Sequence, residues 1–186
     1  MTDEGALPVT KKGRCLTDWQ GARRPDHGIL AGTHCRLEPI KRDHVADLFS
    51  AYSADETGAN WQYLPYGPFA EQDEFAKWVD RTCFRDDPFF YAIIETTGNR
   101  PIGMASYLRV NPDAGSIEVG HINFAPALQR KPAASETMFL MMRHAFEDLG
   151  YRRYEWKCNN ENLRSKAAAL RLGFVQSCLF KSCKKI

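Results

Sequence analysis

Apolar positions along this chain follow two rhythms, every second residue in some stretches and every third or fourth in others, and the switches between them outline the elements. At 34–38 the alternation sets Cys35 and Leu37 on one face and predicts a strand. Pro39 follows, Asp43 can cap the next element, and Val45, Leu48, Phe49 and Tyr52 form the apolar stripe of a helix. A second amphipathic helix is expected over 71–82, with Phe75, Trp78 and Val79 inward. Three β segments come next, 89–95, 102–110 and 116–124, separated by turns at Thr97-Gly98-Asn99 and 111–115, which reads as an antiparallel meander. Met138, Met141, Met142, Ala145, Phe146 and Leu149 predict a helix over 136–149, ended by Gly150. A strand at 153–158, a helix at 162–172 stopped by Gly173, and a strand beginning at Phe174 complete the order. Such an order belongs to an α+β domain with a mixed, mainly antiparallel central sheet flanked by helices.

The 186 residues, 44% of them hydrophobic, suit one domain with its own core, placed at 33–186 behind an irregular polar arm at 1–32. Lys11, Lys12, Arg14, Arg23 and Arg24 make that arm basic, either to touch a cofactor or partner or as a solvated tail. A net charge of +2 supplies no bulk attraction for nucleic acid or an anionic membrane. The start of the chain lacks a signal-peptide pattern, and no run of eighteen apolar residues predicts a membrane span. Six cysteines without a C-x-x-C pair argue against a zinc knuckle or a disulfide frame, and point to a reducing, cytoplasmic setting. No His, Cys and Asp grouping marks a metal site or a hydrolase triad, and no glycine-rich nucleotide motif is present.

Two stretches carry candidate chemistry. The segment 128–136 joins the strand 117–124 directly to a helix start, where free backbone N–H groups and the positive dipole end suit phosphate. An ordinary helix start that binds nothing has the same pattern. The stretch 61–69 holds Pro65, Gly67 and Pro68, which break both helix and strand, and is therefore an aromatic loop.

Four local signatures stand in this order: Pro101-Ile102-Gly103, Ile117-Glu118-Val119-Gly120-His121, the run from Gln129 to Glu136, and Asn162-Leu163-Arg164-Ser165 through Leu172-Gly173-Phe174. With the element order they resemble the GNAT superfamily of acetyl-CoA-dependent N-acetyltransferases over about 34–174, and most of all its ribosomal-protein N-terminal acetyltransferase branch. The resemblance implies acetyl-CoA as co-substrate and a small amine or peptide N-terminus as acceptor, in a monomer or a homodimer. It also implies that Gln129, Arg130, Lys131, Ala133, Ala134 and Ser135 cradle the coenzyme A pyrophosphate. The family has glycines where Arg130 and Pro132 stand, so weaker amide cradling is expected, partly offset by the charges of Arg130 and Lys131. Asn123 and Phe124 map to the point where the family's sheet splays and a backbone N–H holds the thioester oxygen, with pantetheine laid along the edge. Asn162 maps to an asparagine on the coenzyme A arm and equally suits an N-cap.

Acetyl transfer needs a neutral amine, a polarised carbonyl and a proton for the leaving thiolate. Glu118, on the face shared by Gly120, Ile122 and Phe124, is the candidate base, or else pairs across the strand with Arg109. The tyrosine that many relatives use as acid is replaced by Ala169; Ser165 matches a serine that the ribosomal-protein branch places near the coenzyme sulfur, a candidate catalytic residue that could relay the proton, or is a helix-surface serine without a task. Alternation sends His121 to the face opposite Glu118, as a core or second-face residue and not a catalytic one, and His144 is expected on a helix exterior. Trp61, Tyr63 and Tyr66 could wall the acceptor site, or pack beneath the loop. Only twelve residues follow Phe174, which suggests a fold shortened at its C-terminus. The alternative to an enzyme is a catalytically weak or inactive GNAT-like protein that binds acyl-CoA or a protein partner.

Overall fold

The computed structural model describes residues 19–176. Six strands, β1 (Leu30–Ala31), β2 (Cys35–Pro39), β3 (Phe89–Glu95), β4 (Pro101–Asn111), β5 (Ser116–Phe124) and β6 (Arg153–Trp156), lie side by side in chain order in one sheet. Every pair is antiparallel except β5 and β6, which are parallel. A parallel neighbour needs a crossover. α3 (Pro132–Arg143), continued by a π turn at His144–Asp148, supplies it. The other helices are α1 (Val45–Ser53), α2 (Gln72–Thr82) and α4 (Leu163–Arg171). Among the described residues no helix is long and apolar enough to cross a membrane.

Alternation along β3 to β5 splits the core into two layers. Tyr91, Ile93, Tyr107 and Val119 face α3 with Met138 and Met141. Phe90, Ala92 and Met104 face α1 and α2 with Leu48, Tyr52, Phe75 and Val79. β3 is buried on both faces up to its last residue and so reads as a continuous apolar run.

Five expectations need correction. α3 begins at Pro132, four residues before the expected start, because proline at the first helical position is preset for the helix. Its inward face centres on Thr137, Met141 and His144, so His144 is buried and stacks on Tyr107 while Phe146 is 42% exposed. Asp43 does not cap α1: a 3-10 turn at Arg42–His44 leads in, and the Nδ1 of His44 accepts from the N–H of Lys41. The described part of the arm is bound to the domain, through β1, Trp19 on the Asp113 carbonyl and Ala22 on the Pro112 carbonyl. At Phe174–Gln176 no strand forms; the remainder of that expected strand, the shortened C-terminus, Lys11, Lys12 and Arg14 lie outside the described residues.

Glu136 joins α3 to the first hairpin. Its carboxylate accepts from the N–H groups of Thr33, His34 and Cys35 at 2.7–2.9 Å. Gly32 permits this approach, since a Cβ there would sit 2.6 Å from the Glu136 carboxyl carbon. Partial burial pushes the carboxyl up, but the three donors outweigh it and hold it below the usual range. With the folded value depressed, the stabilisation is complete at neutral pH and is lost as pH falls through the folded value. Glu136→Ala is expected to lower stability by about 2 kcal/mol at pH 7. The difference should shrink toward pH 3 in urea titrations, and a pH-independent difference would refute the charged contact.

Candidate functional site

In the parallel pair, Glu118 of β5 lies beside Glu155 of β6, and pairing stops at Val119 and Trp156. Adjacent carboxylates repel unless a cation separates them. Lys157, one residue past β6, donates to Glu118 Oε2 at 2.5 Å and to Glu155 Oε2 at 2.9 Å. Partial burial would push the Lys157 ammonium down, but its bonds to Glu118 and Glu155 hold it above its ordinary value. From β4, Arg109 Nη1 donates to Glu118 Oε1 at 2.6 Å. Arg109 reaches this far because β4 slips register between Leu108 and Asn111, with Arg109 at φ 49. Asp87 holds the slip by accepting the N–H groups of Arg109 and Val110, both at 2.9 Å. Glu118, the candidate base, is thus only 4% exposed and tied to two cations, and the cross-strand pair with Arg109 is present.

Beyond Val119, β5 continues to Phe124 with no strand on its β6 side among the described residues. A bulge lies in this free length: Ser106 faces Gly120 while Met104 faces Asn123, so two steps on β4 answer three on β5. His121 takes up the extra residue at φ 50. The alternation is broken there, and the imidazole turns to the face of Glu118 instead of the opposite one. It stacks on Tyr66 at 5.6 Å and lies against Phe90 at 5.1 Å, with its Nδ1 3.1 Å from Tyr66 Oη. Burial pushes the imidazole below its ordinary value, helped by Arg109 and opposed by Glu118. The Tyr66 phenol is pushed far up by burial.

The aromatic loop between α1 and α2 separates into three roles. Trp61 is buried, edge-on to Tyr52 and Phe69, and packs beneath the loop. Gly67, at φ 73, lets the chain pass over it, since a Cβ would come within 2.4 Å of the indole. Tyr66 lies between Trp78 and His121. Tyr63 reaches across to donate to the Glu161 carbonyl at 3.2 Å, next to Asn162.

Residues of the expected phosphate segment meet the end of β5. Gln129 Nε2 donates to the Phe124 carbonyl at 3.0 Å and to Asn60 Oδ1 at 2.7 Å. Arg130 adopts φ 60, a left-handed conformation that favours glycine. Lys131 is the N-cap of α3, Ala134 N–H bonds the Lys131 carbonyl, Ser135 is exposed, and Ala133 is buried beside Cys35. Asn123 is 1% exposed, with both side-chain amide atoms unpartnered, while its carbonyl accepts from Tyr52 Oη at 3.1 Å. Asn162 caps α4 through the Ser165 N–H, and Ser165 Oγ accepts from Trp156 Nε1 at 2.9 Å.

Residues 34–175 match the family model described as Acetyltransferase (GNAT) domain. The chain belongs to the GNAT acetyltransferases. A GCN5-related N-acetyltransferase from Brucella melitensis is 39% identical with TM-score 0.83, over 86% of this chain and 72% of that one. A probable GNAT-family acetyltransferase from Chromobacterium violaceum is 35% identical with TM-score 0.81, over 91% and 84%. RimL, a ribosomal-protein alpha-N acetyltransferase in complex with Coenzyme A, shares the fold at 21% identity and TM-score 0.64, over 79% and 84%. No curated protein matches.

Within this GNAT domain, the residues that sequence reasoning missed are Lys157, Asn60, Tyr52 and the pairing of His121 with Tyr66. For Lys157 the signal appears only once the register of β5 and β6 is known, because two acidic residues side by side on parallel strands call for a cation nearby. Trp61→Ala should cost about 3–5 kcal/mol in urea unfolding, as for a buried large aromatic, while Tyr63→Ala should cost about 1 kcal/mol or less. Equal losses would contradict the separation of packing from surface roles.

Proposed function

We propose that this GNAT protein is a cytoplasmic acetyl-CoA-dependent N-acetyltransferase, which moves an acetyl group directly to a primary amine of a small molecule or a peptide N-terminus. The observation that carries the reading is the free length of β5: from Gly120 to Phe124 its edge has no strand beside it among the described residues, between the α3 N-terminus and the aromatic loop. An open edge of this kind accepts the amides of a pantetheine arm as it would a strand. The left-handed turn at Arg130, the N-terminus of α3 and the Arg130 and Lys131 side chains suit the pyrophosphate. Gln129, Arg130, Lys131, Ala134 and Ser135 would hold it, with Ala133 serving the core, and the N-terminus of α4 at Asn162 and Ser165 would flank the arm.

In the reaction, the amine lone pair attacks the thioester carbonyl carbon, the carbon–sulfur bond breaks, and the thiolate leaves with its electron pair. Asn123 and Phe124 lie where backbone would meet the developing negative charge on the carbonyl oxygen. Tyr66 and Tyr63 wall the acceptor side with aromatic surface. RimL is named as a ribosomal-protein acetyltransferase, which favours a peptide N-terminus among the acceptors.

Acetyl-CoA at 100 times its Kd should raise stability by about 2.7 kcal/mol, read as a thermal shift, and thiol should be released in the presence of an accepted amine. Arg130→Ala with Lys131→Ala should weaken acetyl-CoA binding at low salt and lose most of that difference at high salt. A thermal shift without thiol release over a broad panel of amines and peptides would favour the weak or inactive acyl-CoA-binding alternative. No shift would count against coenzyme binding itself.

A further inference from the structure

Resting on that reading, we propose that His121 is the general base that takes the proton from the acceptor amine, and that Tyr66 positions it. His121 sits on the free length of β5, two residues before Asn123, on the side walled by the aromatic loop. Its Nδ1 is 3.1 Å from Tyr66 Oη, and its Nε2 has no hydrogen-bond partner among the described residues, nor is it sealed from solvent. With Nδ1–H donating to Tyr66 Oη, the lone pair of Nε2 is free to accept. Stacking on Tyr66 and a tilted contact with Phe90 fix the plane of the ring. Glu118, by contrast, is engaged on each oxygen by a cation, Arg109 on one and Lys157 on the other.

The step balances without a further reactant. The amine nitrogen forms its bond to the acetyl carbon, its proton passes to Nε2, and the carbon–sulfur electron pair leaves with the thiolate. The imidazolium then returns its proton to the thiolate or to solvent. The titratable and charged groups that face the ring are Tyr66 from the loop, Arg109 from β4 and Glu118 from β5 itself. Phe90 contributes no charge from β3. Burial and Arg109 keep the imidazole neutral at physiological pH, which is the state a base needs.

Two measurements on the full chain test the assignment. In the ligand-free protein, 15N-histidine NMR should show His121 in the Nδ1-protonated tautomer at pH 8, and Tyr66→Phe should shift the population toward Nε2–H. In turnover with acetyl-CoA and an accepted amine, His121→Asn, which tolerates the left-handed backbone, should lower kcat by about 10²-fold with the KM for acetyl-CoA within twofold. It should also remove the acidic limb of the pH profile, which in the wild type falls below the ordinary imidazole range. A wild-type tautomer with the proton on Nε2, or a His121→Asn enzyme within threefold of wild type, would overturn the assignment. Loss of the wild-type acidic limb in Glu118→Gln alone would do the same. Failure of the acetyltransferase reading has a separate signature: wild-type protein would release no thiol with any amine, which removes the basis for the base as well.

Discussion

The buried carboxylate of Glu118 is the constraint around which the sheet is arranged. It links β4 through Arg109 to the residue just past β6 through Lys157, one residue before β5 and β6 part. A buried carboxylate with two largely exposed cations adds little net stability against an apolar substitute, because its desolvation offsets the attraction. What it sets is register: Glu118 can be neutralised on both oxygens only if the parallel pair is aligned and β4 is slipped so that Arg109 can turn in. The split in the sheet therefore begins at a fixed place.

From that place the candidate site follows. β5 runs on beside β4, with no strand on its other side among the described residues, the bulge at His121 turns an imidazole toward the aromatic loop, and Tyr52 and Gln129 hold the carbonyls of Asn123 and Phe124. Gln129 also bonds Asn60, so one amide side chain joins the loop before α3 to the loop after α1. The two halves of the proposed site, coenzyme side and acceptor side, are in this way mechanically connected through the end of β5. The buried, unpartnered amide of Asn123 lies at the same end.

Much of the fold is legible in the sequence, because regular elements leave regular patterns. The alternation at β5 and the apolar run at β3 place their strands to within a residue, and the stripe of α2 does so for its helix. What escapes the pattern is polar or irregular. Thr137 on α3 and His144 on the π turn that continues it face inward, where Thr137 donates to the Ala133 carbonyl and His144 Nδ1 bonds Asp148, and hydrophobic counting cannot foresee that. The bulge at His121 adds one residue to one strand and leaves no mark in composition, yet it reverses the face of the side chain concerned. Glu118 and Arg109 are legible as a pair; the part played by Lys157 depends on the register of β5 and β6, which the sequence leaves open.

Amide hydrogen exchange with and without acetyl-CoA reads whether the free edge of β5 receives the coenzyme arm. Slowed exchange confined mainly to 120–124 and 129–135, with β1 and β2 unchanged, is the predicted result. Unchanged exchange at 120–124 under saturating acetyl-CoA, with protection appearing elsewhere, would contradict it.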